Sequence, residues 1–538
     1  MLYTEVNVPV EFSLKARGSY KNIFNEVEVD VIFTSPDGEK LKLPAFWKGE
    51  GEFGVRVSFP GEGIYKWESI CSNRSDAGLH KQKGEIKVVP YTGTNPLYLY
   101  GRLKNSDNKR YFCYKSGKPF FWFGDTWWMG LCKRLQWPLE FKELTCDRVR
   151  KGFTVIQIVA GLYPDMDWFD ERGKNEAGYP WAGDFSEINP DYFDMADLRI
   201  FHLINEGLVP CIVGAWGYYL KWTGIEKMKK HWRNLVARYS ALPVVWCAAG
   251  EYDMPYYLTD TKEEDQKFQR EGWKEIIKYI REIDPYHNLI TVHPGSFIRE
   301  VPGYPDLLDF DMLQTGHYDA SIKNAVYRVK QSYNAEPVMP VIIGEAVYEG
   351  IGGQCREQIQ RLVFWASVLN GACGYTYGAN GIWQINRRER PYGPSPHGMS
   401  WGDTPCDEAM NLPGSKQLGL ARKLLEQYRW WEFQEHPEWI EVNVSEEDKT
   451  RNYYPYIAGI PEEVRIVYLP FFYNIFKLKE IERDISYKAF LFNPATGEKI
   501  DIERVNPTSD GKWEPTVVKG RIVRLPVFQD WVLVLEKR

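Results

Sequence analysis

The 538-residue sequence lacks the features of two broad classes of protein. Its basic residues form no dense run and its net charge is −6, so it offers no basic face to a phosphate backbone, and we expect no nucleic-acid partner. No apolar stretch is long enough to span a bilayer, which argues against membrane association. The first residues show no basic region followed by an apolar stretch, so we predict no signal peptide and a cytoplasmic protein.

Paired cysteines and cofactor motifs are also missing. The nine cysteines include no CxxC pair, and their odd, dispersed number is typical of reduced thiols that pack as small hydrophobic side chains. No HExxH motif is present, so we predict no metal site. A glycine-rich phosphate loop would follow the first strand of a dinucleotide-binding sheet, but Gly124–Trp127 lies at that place, and we expect no cofactor.

Aromatic residues, in contrast, are abundant, with 21 Trp, 34 Tyr and 27 Phe. Aromatic rings stack on the C–H faces of sugars, and their polar atoms hydrogen-bond at the edges of sugar rings. Large cores and β-sandwiches also use aromatic residues, so the composition favours a carbohydrate partner only modestly.

The pattern of apolar residues changes twice along the chain. Residues 1–93 alternate polar and apolar positions between glycine-containing turns, which predicts an immunoglobulin-like β-sandwich. Residues 94–430 alternate short apolar strands with longer amphipathic helices. Residues 431–538 return to β patterning, with strands that include Ile522–Leu525, and predict a second β-sandwich.

The central region contains eight candidate strands. Eight βα units over about 300 residues fit a TIM barrel. We therefore predict an α/β protein, a (β/α)8 TIM barrel flanked by N-terminal and C-terminal β-sandwich domains, with an open doubly wound sheet as the alternative. The candidate strands are Phe120–Phe123, Thr154–Val159, Val209–Val213, Val244–Ala248, Leu289–Val292, Asp309–Leu313, Val341–Ile343 and Gly374–Tyr377.

A glutamate lies just after the fourth and the seventh of these strands, at Glu251 and Glu345. Catalytic side chains of TIM barrels come from the C-terminal ends of strands, and strands four and seven face each other across the barrel mouth. Glycoside hydrolysis needs one carboxyl group to protonate the leaving oxygen and another to attack the sugar or activate water. We predict that both glutamates are catalytic and favour retention over inversion, although a single glutamate at such a place is usually a helix-cap neighbour or an ion-pair member.

Other residues at the predicted strand ends are candidates for substrate binding. Carboxylates and imidazoles hydrogen-bond to hydroxyls, while rings stack on sugar faces. Asp125 is equally well placed to cap the following helix, and the two histidines equally fit a structural role. The predicted substrate-binding residues are Asp125, Trp127, Trp128, Trp216, Asp253, His293, His317, Tyr318 and Trp383.

Several stretches resemble known families. Phe121–Trp127 and Trp246–Asp253 resemble the apiosidase-like barrel family. Ala45–Trp67 is similar to the immunoglobulin-like domain (DUF5060) that precedes such barrels. Phe492–Glu498 and Asp530–Leu535 resemble the small β-sandwich that often follows them, so the resemblance covers nearly the whole chain.

The resemblance implies a retaining glycoside hydrolase in which Glu251 is the acid/base and Glu345 the nucleophile. It also implies that furanosides are among the family's substrates. The chain departs from the wider clan at Gly250, where an asparagine usually contacts the 2-hydroxyl of the sugar. Asp253 or His293 would have to take over that contact.

Two other functions stay open on the sequence. A non-catalytic carbohydrate-binding protein on a barrel scaffold is the alternative, and the presence of both glutamates argues against it. A metal-dependent hydrolase is disfavoured by the absence of clustered ligands. Without a visible export signal, a short oligosaccharide or a plant glycoside fits better than an intact polysaccharide.

Overall fold

A nearly closed barrel of eight parallel strands, with helices on its outside, forms the centre of the protein. The structure is a computed structural model that describes residues 1–442, 450, 452–470, 476–502, 505–513, 517–518, 521–522 and 529–538. The barrel strands are β1 (Trp122–Trp127), β2 (Val155–Val159), β3 (Val209–Val213), β4 (Val245–Gly250), β5 (Ile290–His293), β6 (Asp311–Gln314), β7 (Val341–Glu345) and β8 (Gly374–Tyr377). The helices are α1 (Leu139–Lys151), α2 (Pro190–Asn205), α3 (Tyr219–Tyr239), α4 (Lys262–Ile283), α5 (Ile322–Tyr333), α6 (Glu357–Val368) and α7 (Pro413–Leu425).

The strands follow chain order around the barrel. Hydrogen-bonded neighbours run β5-β4-β3-β2-β1-β8-β7-β6. The two end strands meet where the Asp309 N–H donates to the Ile290 carbonyl (2.9 Å) and the Thr291 hydroxyl donates to the Phe310 carbonyl (2.8 Å). This cyclic order is that of a TIM barrel, so the predicted fold class is confirmed and the doubly wound alternative is wrong.

All eight predicted strands overlap an observed one, and two coincide with β3 and β8. The first prediction, Phe120–Phe123, is wrong in its bounds because Asp125 belongs to β1 rather than to a loop. Its carboxylate lies against α1, where Arg148 Nε is 2.6 Å from Asp125 Oδ2. A buried charge is tolerated inside a strand when a partner of opposite charge binds it.

Residues 1–93 form two sheets around one hydrophobic core, which includes Val31, Phe33, Val55 and Val57. In the larger sheet, strand Leu2–Glu5 is parallel to its neighbour Lys83–Val89, and all other pairs of neighbouring strands are antiparallel. The larger sheet runs Leu2–Glu5, Lys83–Val89, Gly63–Cys71, Val29–Thr34 and Lys40–Pro44, and the smaller one runs Val10–Lys15, Glu52–Val57 and Phe46–Gly49.

A small antiparallel sheet leads into the barrel and covers its N-terminal end. Phe112 of this sheet packs against Trp122 and Phe310, which begin or precede two barrel strands. The sheet and the short helix before it comprise Pro96–Leu99, Leu103–Asn105, Phe112–Tyr114 and Pro119–Phe120.

A six-stranded antiparallel sheet follows α7. One of its faces packs on the barrel, where Tyr468 stacks on Trp365 of α6 (6.1 Å between ring centroids), and the other face has its own core. The predicted strand Ile522–Leu525 lies outside the described residues beyond Ile522. The sheet runs Gln434–Glu435, Tyr456–Ile460, Val464–Leu469, Trp531–Lys537, Tyr487–Phe492 and Lys499–Ile502, and shorter pairs join Ile440–Val442 to Phe476–Leu478 and Val517–Val518 to Arg521–Ile522.

The predicted domain boundaries at residues 93 and 430 stay a prediction, and packing against the barrel core extends across both of them. Within the described part of the chain, no helix has both the length and the apolar content needed to cross a bilayer.

A buried ion pair joins the C-terminal sheet to the barrel. Arg361 of α6 makes two contacts with Asp530, of 2.7 and 2.6 Å, and both side chains are almost fully buried. We expect Arg361→Ala to destabilise the protein by about 3–5 kcal/mol, because the Asp530 charge is then left buried without its partner. Differential scanning calorimetry measures the effect. The control is Arg429→Ala, since the exposed ion pair of Arg429 with Glu463 contributes little to the free energy of unfolding. Equal melting temperatures for the two variants would contradict the expectation.

Candidate active site

A cavity of about 510 Å³ opens at the C-terminal ends of the barrel strands. This is the face on which TIM-barrel enzymes carry their catalytic residues. Six of the predicted site residues line the cavity, namely Glu251, Glu345, Trp128, Trp216, His317 and Trp383.

Glu251 follows β4 where the pairing with β5 becomes irregular, between Cys247 and Gly250. Its backbone φ is +41°, which is uncommon for a residue with a side chain. Bulges and strained backbone often aim side chains at active sites. The Trp216 indole N–H donates to Glu251 Oε2 (3.0 Å) and the Gln314 amide donates to Oε1 (2.9 Å). Both carboxylate oxygens are therefore held in place at the cavity wall.

The structure gives a physical reason for glycine at position 250. A Cβ built on Gly250 would lie 2.3 Å from two ring carbons of Trp216, far inside van der Waals contact. The indole ring thus occupies the space that a side chain at 250 would need. Because the ring also carries the N–H that binds Glu251, glycine at 250 and the hydrogen bond to Glu251 are linked.

We expect Gly250→Ala to lower kcat/KM by roughly 100-fold, because displacement of the Trp216 ring by about 1 Å misplaces Glu251. Steady-state kinetics on a nitrophenyl glycoside measures the loss. Gly295→Ala is the matched control, since a Cβ at Gly295, which also lines the cavity, would meet its nearest atom at 3.7 Å. Similar losses in the two variants would show that the Trp216 ring is not the cause.

Glu345 ends β7 and is buried against two histidines. His293 Nε2 lies 3.0 Å from Glu345 Oε2, and His317 Nε2 lies 3.2 Å from Oε1. Burial by itself would raise the pKa of Glu345, but His293, His317 and Tyr348 outweigh it and lower the pKa to about 2. Glu345 is therefore ionised at neutral pH. Despite these imidazoles, no three His, Cys, Asp or Glu side chains in the described residues are arranged to hold a metal ion.

Gln314, the last residue of β6, contacts both glutamates. Its Nε2 is 2.9 Å from Glu251 Oε1 and 3.3 Å from Glu345 Oε1. A single nitrogen at these two distances keeps Glu251 Oε1 and Glu345 Oε1 within at most about 6.2 Å of each other, the sum of the two distances. The two carboxylates thus lie on either side of one narrow space.

Aromatic rings form much of the cavity wall. The Trp128 N–H donates to the Tyr348 hydroxyl (3.1 Å), and Trp128 meets Trp216 edge to face with ring centroids 5.5 Å apart. Trp383 and Trp401, which follow β8, are nearly perpendicular at 81°. Rings fixed in this way present apolar faces on which a sugar ring stacks.

Two predicted binding residues, Asp125 and Trp127, do not reach the cavity. Both are fully buried in β1. The Trp127 N–H donates to Asp125 Oδ2 (2.7 Å), and the same oxygen binds Arg148 of α1. The expectation that they contact substrate is corrected: they attach β1 to α1.

Asp253, His293 and Tyr318 also lie outside the cavity lining. Asp253 Oδ2 accepts from Arg270 (2.8 Å) and from the Ser296 hydroxyl (2.9 Å). His293 is fully buried and contacts Glu345, while Tyr318 is 37% exposed on the surface. Since neither Asp253 nor His293 lines the cavity, the structure gives no support to the expectation that one of them replaces the asparagine contact that Gly250 lacks.

Fourteen of the 20 cavity-lining residues are absent from the predicted set of site residues, and they include Gln314, Tyr348, Asp165, Tyr257 and Trp401. Gln314 directly follows a predicted strand, so its position carried a signal. Trp401 lies in a long connection after β8 with no regular pattern, and its approach to the cavity depends on the folded path of that connection.

Comparison with protein families gives two matches. The apiosidase-like catalytic domain matches residues 106–432, and the DUF5060 domain of unknown function matches residues 5–72. No curated protein matches the chain. Among solved structures, one described as a glycoside hydrolase aligns with a TM-score of 0.66 and 22% identity, over 83% of this chain and 98% of its own. A glycoside hydrolase family 5 protein from Bacteroides vulgatus aligns with a TM-score of 0.66 and 21% identity, over 83% of this chain and 94% of its own.

Proposed function

This chain is a glycoside hydrolase of the apiosidase-like family, and from that premise we propose that it cleaves a small glycoside by a retaining, two-glutamate mechanism. Glu345 is the nucleophile and Glu251 the acid/base. The observation that carries the proposal is the single Gln314 nitrogen within hydrogen-bond distance of both carboxylates. It keeps one oxygen of each within about 6.2 Å of the other, which is compatible with the spacing of about 5–5.5 Å typical of retention.

In the first step an oxygen of Glu345 attacks the anomeric carbon while Glu251 gives its proton to the leaving oxygen. The glycosidic bond breaks and a covalent glycosyl-enzyme forms. In the second step Glu251 takes a proton from water, which attacks the same carbon and releases Glu345. The lowered pKa of Glu345 supports its role, because a nucleophile has to be ionised before it attacks.

The substrate we propose is a furanoside or another short glycoside. The cavity of about 510 Å³ suits a ligand of a few rings, and its aromatic walls suit sugar faces. The non-catalytic carbohydrate-binding protein that the sequence left open is disfavoured by the match to the apiosidase-like catalytic domain.

The test is hydrolysis of a panel of nitrophenyl furanosides and pyranosides, followed by proton NMR of the first product formed on the active substrate. We expect the newly released sugar to keep the anomeric configuration of the substrate. A product of opposite configuration would exclude Glu345 as a nucleophile. Sugar binding without hydrolysis of any glycoside would favour the binding protein.

A further inference from the structure

Asp165 is a third carboxylate of the cavity, and the two-glutamate mechanism does not use it. It lies in the connection after β2 and lines the same cavity as Glu251 and Glu345. The residue is only 3% exposed, and neither of its carboxylate oxygens has a hydrogen-bond partner among the described residues. A buried carboxylate without donors is costly, so its presence calls for a partner that arrives from outside the chain.

Other buried aspartates of this protein meet donors inside the fold. Asp125 accepts from Arg148 and from an indole, and Asp253 accepts from Arg270. Asp284 accepts from the Trp246 indole at 2.8 Å. Asp165 differs from all three, although each lies in the barrel.

The nearest cation does not neutralise Asp165. Arg172 makes a two-nitrogen contact with Asp170, at 3.0 and 2.8 Å, and gives Asp165 only a hydrogen bond to its backbone carbonyl (3.3 Å). Burial raises the pKa of Asp165 to about 6, an effect that the nearby polar side chains of Ser395, Arg172 and Trp401 reduce and that Glu251 increases. The Trp401 N–H donates to the Ser395 hydroxyl (2.9 Å), so neither side chain forms a hydrogen bond to the Asp165 carboxylate among the described residues, and the carboxylate remains an acceptor at the cavity wall.

The backbone of Asp165 is also strained. Its φ is +59°, in the left-handed region that residues with a side chain seldom adopt. Strain of this kind persists where the surrounding structure fixes a side chain for binding or catalysis.

We propose that Asp165 is a specificity-determining residue that accepts hydrogen bonds from two adjacent, unsubstituted hydroxyls of the sugar. The inference rests on the proposed function and deepens it by naming the substrate class, a neutral sugar with a free vicinal diol. An ionised carboxylate has two acceptor oxygens side by side and no donor, so it matches a pair of hydroxyls. The absence of these hydroxyls leaves the carboxylate buried and unpaired, which is how a binding site rejects a deoxy sugar.

The variant to compare is Asp165→Asn, because asparagine has the same shape and tolerates a positive φ. The substrates are the nitrophenyl glycoside that the native enzyme hydrolyses fastest, its monodeoxy analogues and the corresponding amino sugar. We expect native enzyme to prefer the parent over the relevant deoxy analogues by at least about 100-fold, and the variant to lose most of that preference. Its kcat/KM on the parent falls by about 10- to 100-fold. The melting temperature is unchanged or higher, because an unpaired buried charge is removed.

Asp167→Asn is the matched control, since Asp167 lies on the same connection with its side chain in solvent. We expect Asp167→Asn to leave the preference for the parent glycoside over its deoxy analogues unchanged. An equal loss by Asp165→Asn on parent and deoxy substrates, or a lowered melting temperature, would overturn the proposal in favour of a structural role. Preference of the native enzyme for the amino sugar would also overturn it, because the carboxylate would then bind a cation.

A binding measurement separates this inference from the proposed function. Titration calorimetry of the parent phenyl glycoside compares Glu345→Gln with the double variant that also carries Asp165→Asn. Weaker binding by the double variant supports the role of Asp165 whether or not the protein turns the glycoside over. Equal binding overturns that role while leaving the glycosidase mechanism standing.

Discussion

Glu345→Gln will lower kcat by roughly 10⁴-fold or more, because it replaces the only group that we assign to attack on the anomeric carbon. The amide has nearly the same shape as the carboxylate but is neutral and weakly nucleophilic. The contacts of His293 and His317 with position 345 become weaker, yet the backbone of β7 is unaffected. Steady-state kinetics on the active nitrophenyl glycoside measures the loss, and circular dichroism checks the fold.

The matched control is Glu349→Gln, four residues further along the chain. Glu349 is also buried, but it lies outside the cavity lining, where it accepts from the Tyr377 hydroxyl (2.5 Å) and from the Gly414 N–H (3.0 Å). Burial raises the pKa of Glu349 to about 7, so a neutral amide resembles its native state. We expect this variant to keep most of the activity. An equal loss of kcat in Glu345→Gln and Glu349→Gln would contradict the assignment of Glu345 as the nucleophile.

Chemical rescue makes the assignment sharper. In Glu345→Ala, azide has room to attack in place of the carboxylate, and it gives a glycosyl azide of configuration opposite to that of the substrate. In Glu251→Ala, azide attacks the covalent intermediate and gives a glycosyl azide of retained configuration. An exchange of these two outcomes would reverse the roles of the two glutamates.

Glu251→Gln will show a loss that depends on the leaving group. Without a proton donor, cleavage of an alkyl glycoside falls by about 10²–10⁴-fold, the usual contribution of general acid catalysis. A 2,4-dinitrophenyl glycoside needs no protonation, so its first step loses little rate. The second step still needs a base, so the glycosyl-enzyme accumulates, with a burst of dinitrophenol and a mass increase on the peptide that contains Glu345.

Stopped-flow kinetics on the two substrates tests this expectation. Gly295→Ala, which leaves both carboxylates intact, provides the comparison for losses unrelated to the acid. Equal losses on both glycosides, with no burst, would remove Glu251 from the acid/base role.

The barrel was predictable from sequence because a buried strand and an amphipathic helix each leave a period in the pattern of apolar residues. The two glutamates were predictable for a related reason, since each follows such a strand and the fold then decides where it points. The prediction that Asp125 and Trp127 bind substrate failed to allow for the geometry of a strand, whose side chains alternate between the barrel interior and the helix layer. A polar side chain near a strand end therefore points either into the active site or toward the helix layer. For Asp125, only its contact with Arg148 in the folded structure shows that it faces the helix layer.

The position of Trp401 and the lack of hydrogen-bond donors at Asp165 were beyond such reasoning for a different reason. Both residues lie in long connections, where no periodic pattern fixes the direction of a side chain. Among the described residues, Asp165 differs from the buried aspartates Asp125, Asp253 and Asp284 by its lack of hydrogen-bond donors, a property that exists only once the chain is folded.

Positions 216 and 250 of this barrel are coupled, because one volume at the mouth holds either the indole of Trp216 or a side chain at 250. An asparagine at 250 requires a smaller residue at 216, and such an exchange removes the indole donor to the acid while adding an amide beside the sugar. Effects of substitution at the two positions will therefore not add, and relatives that carry asparagine at 250 are expected to lack tryptophan at 216. The two positions thus offer two mutually exclusive ways to fill the same corner, one that binds the acid and one that would bind the 2-hydroxyl.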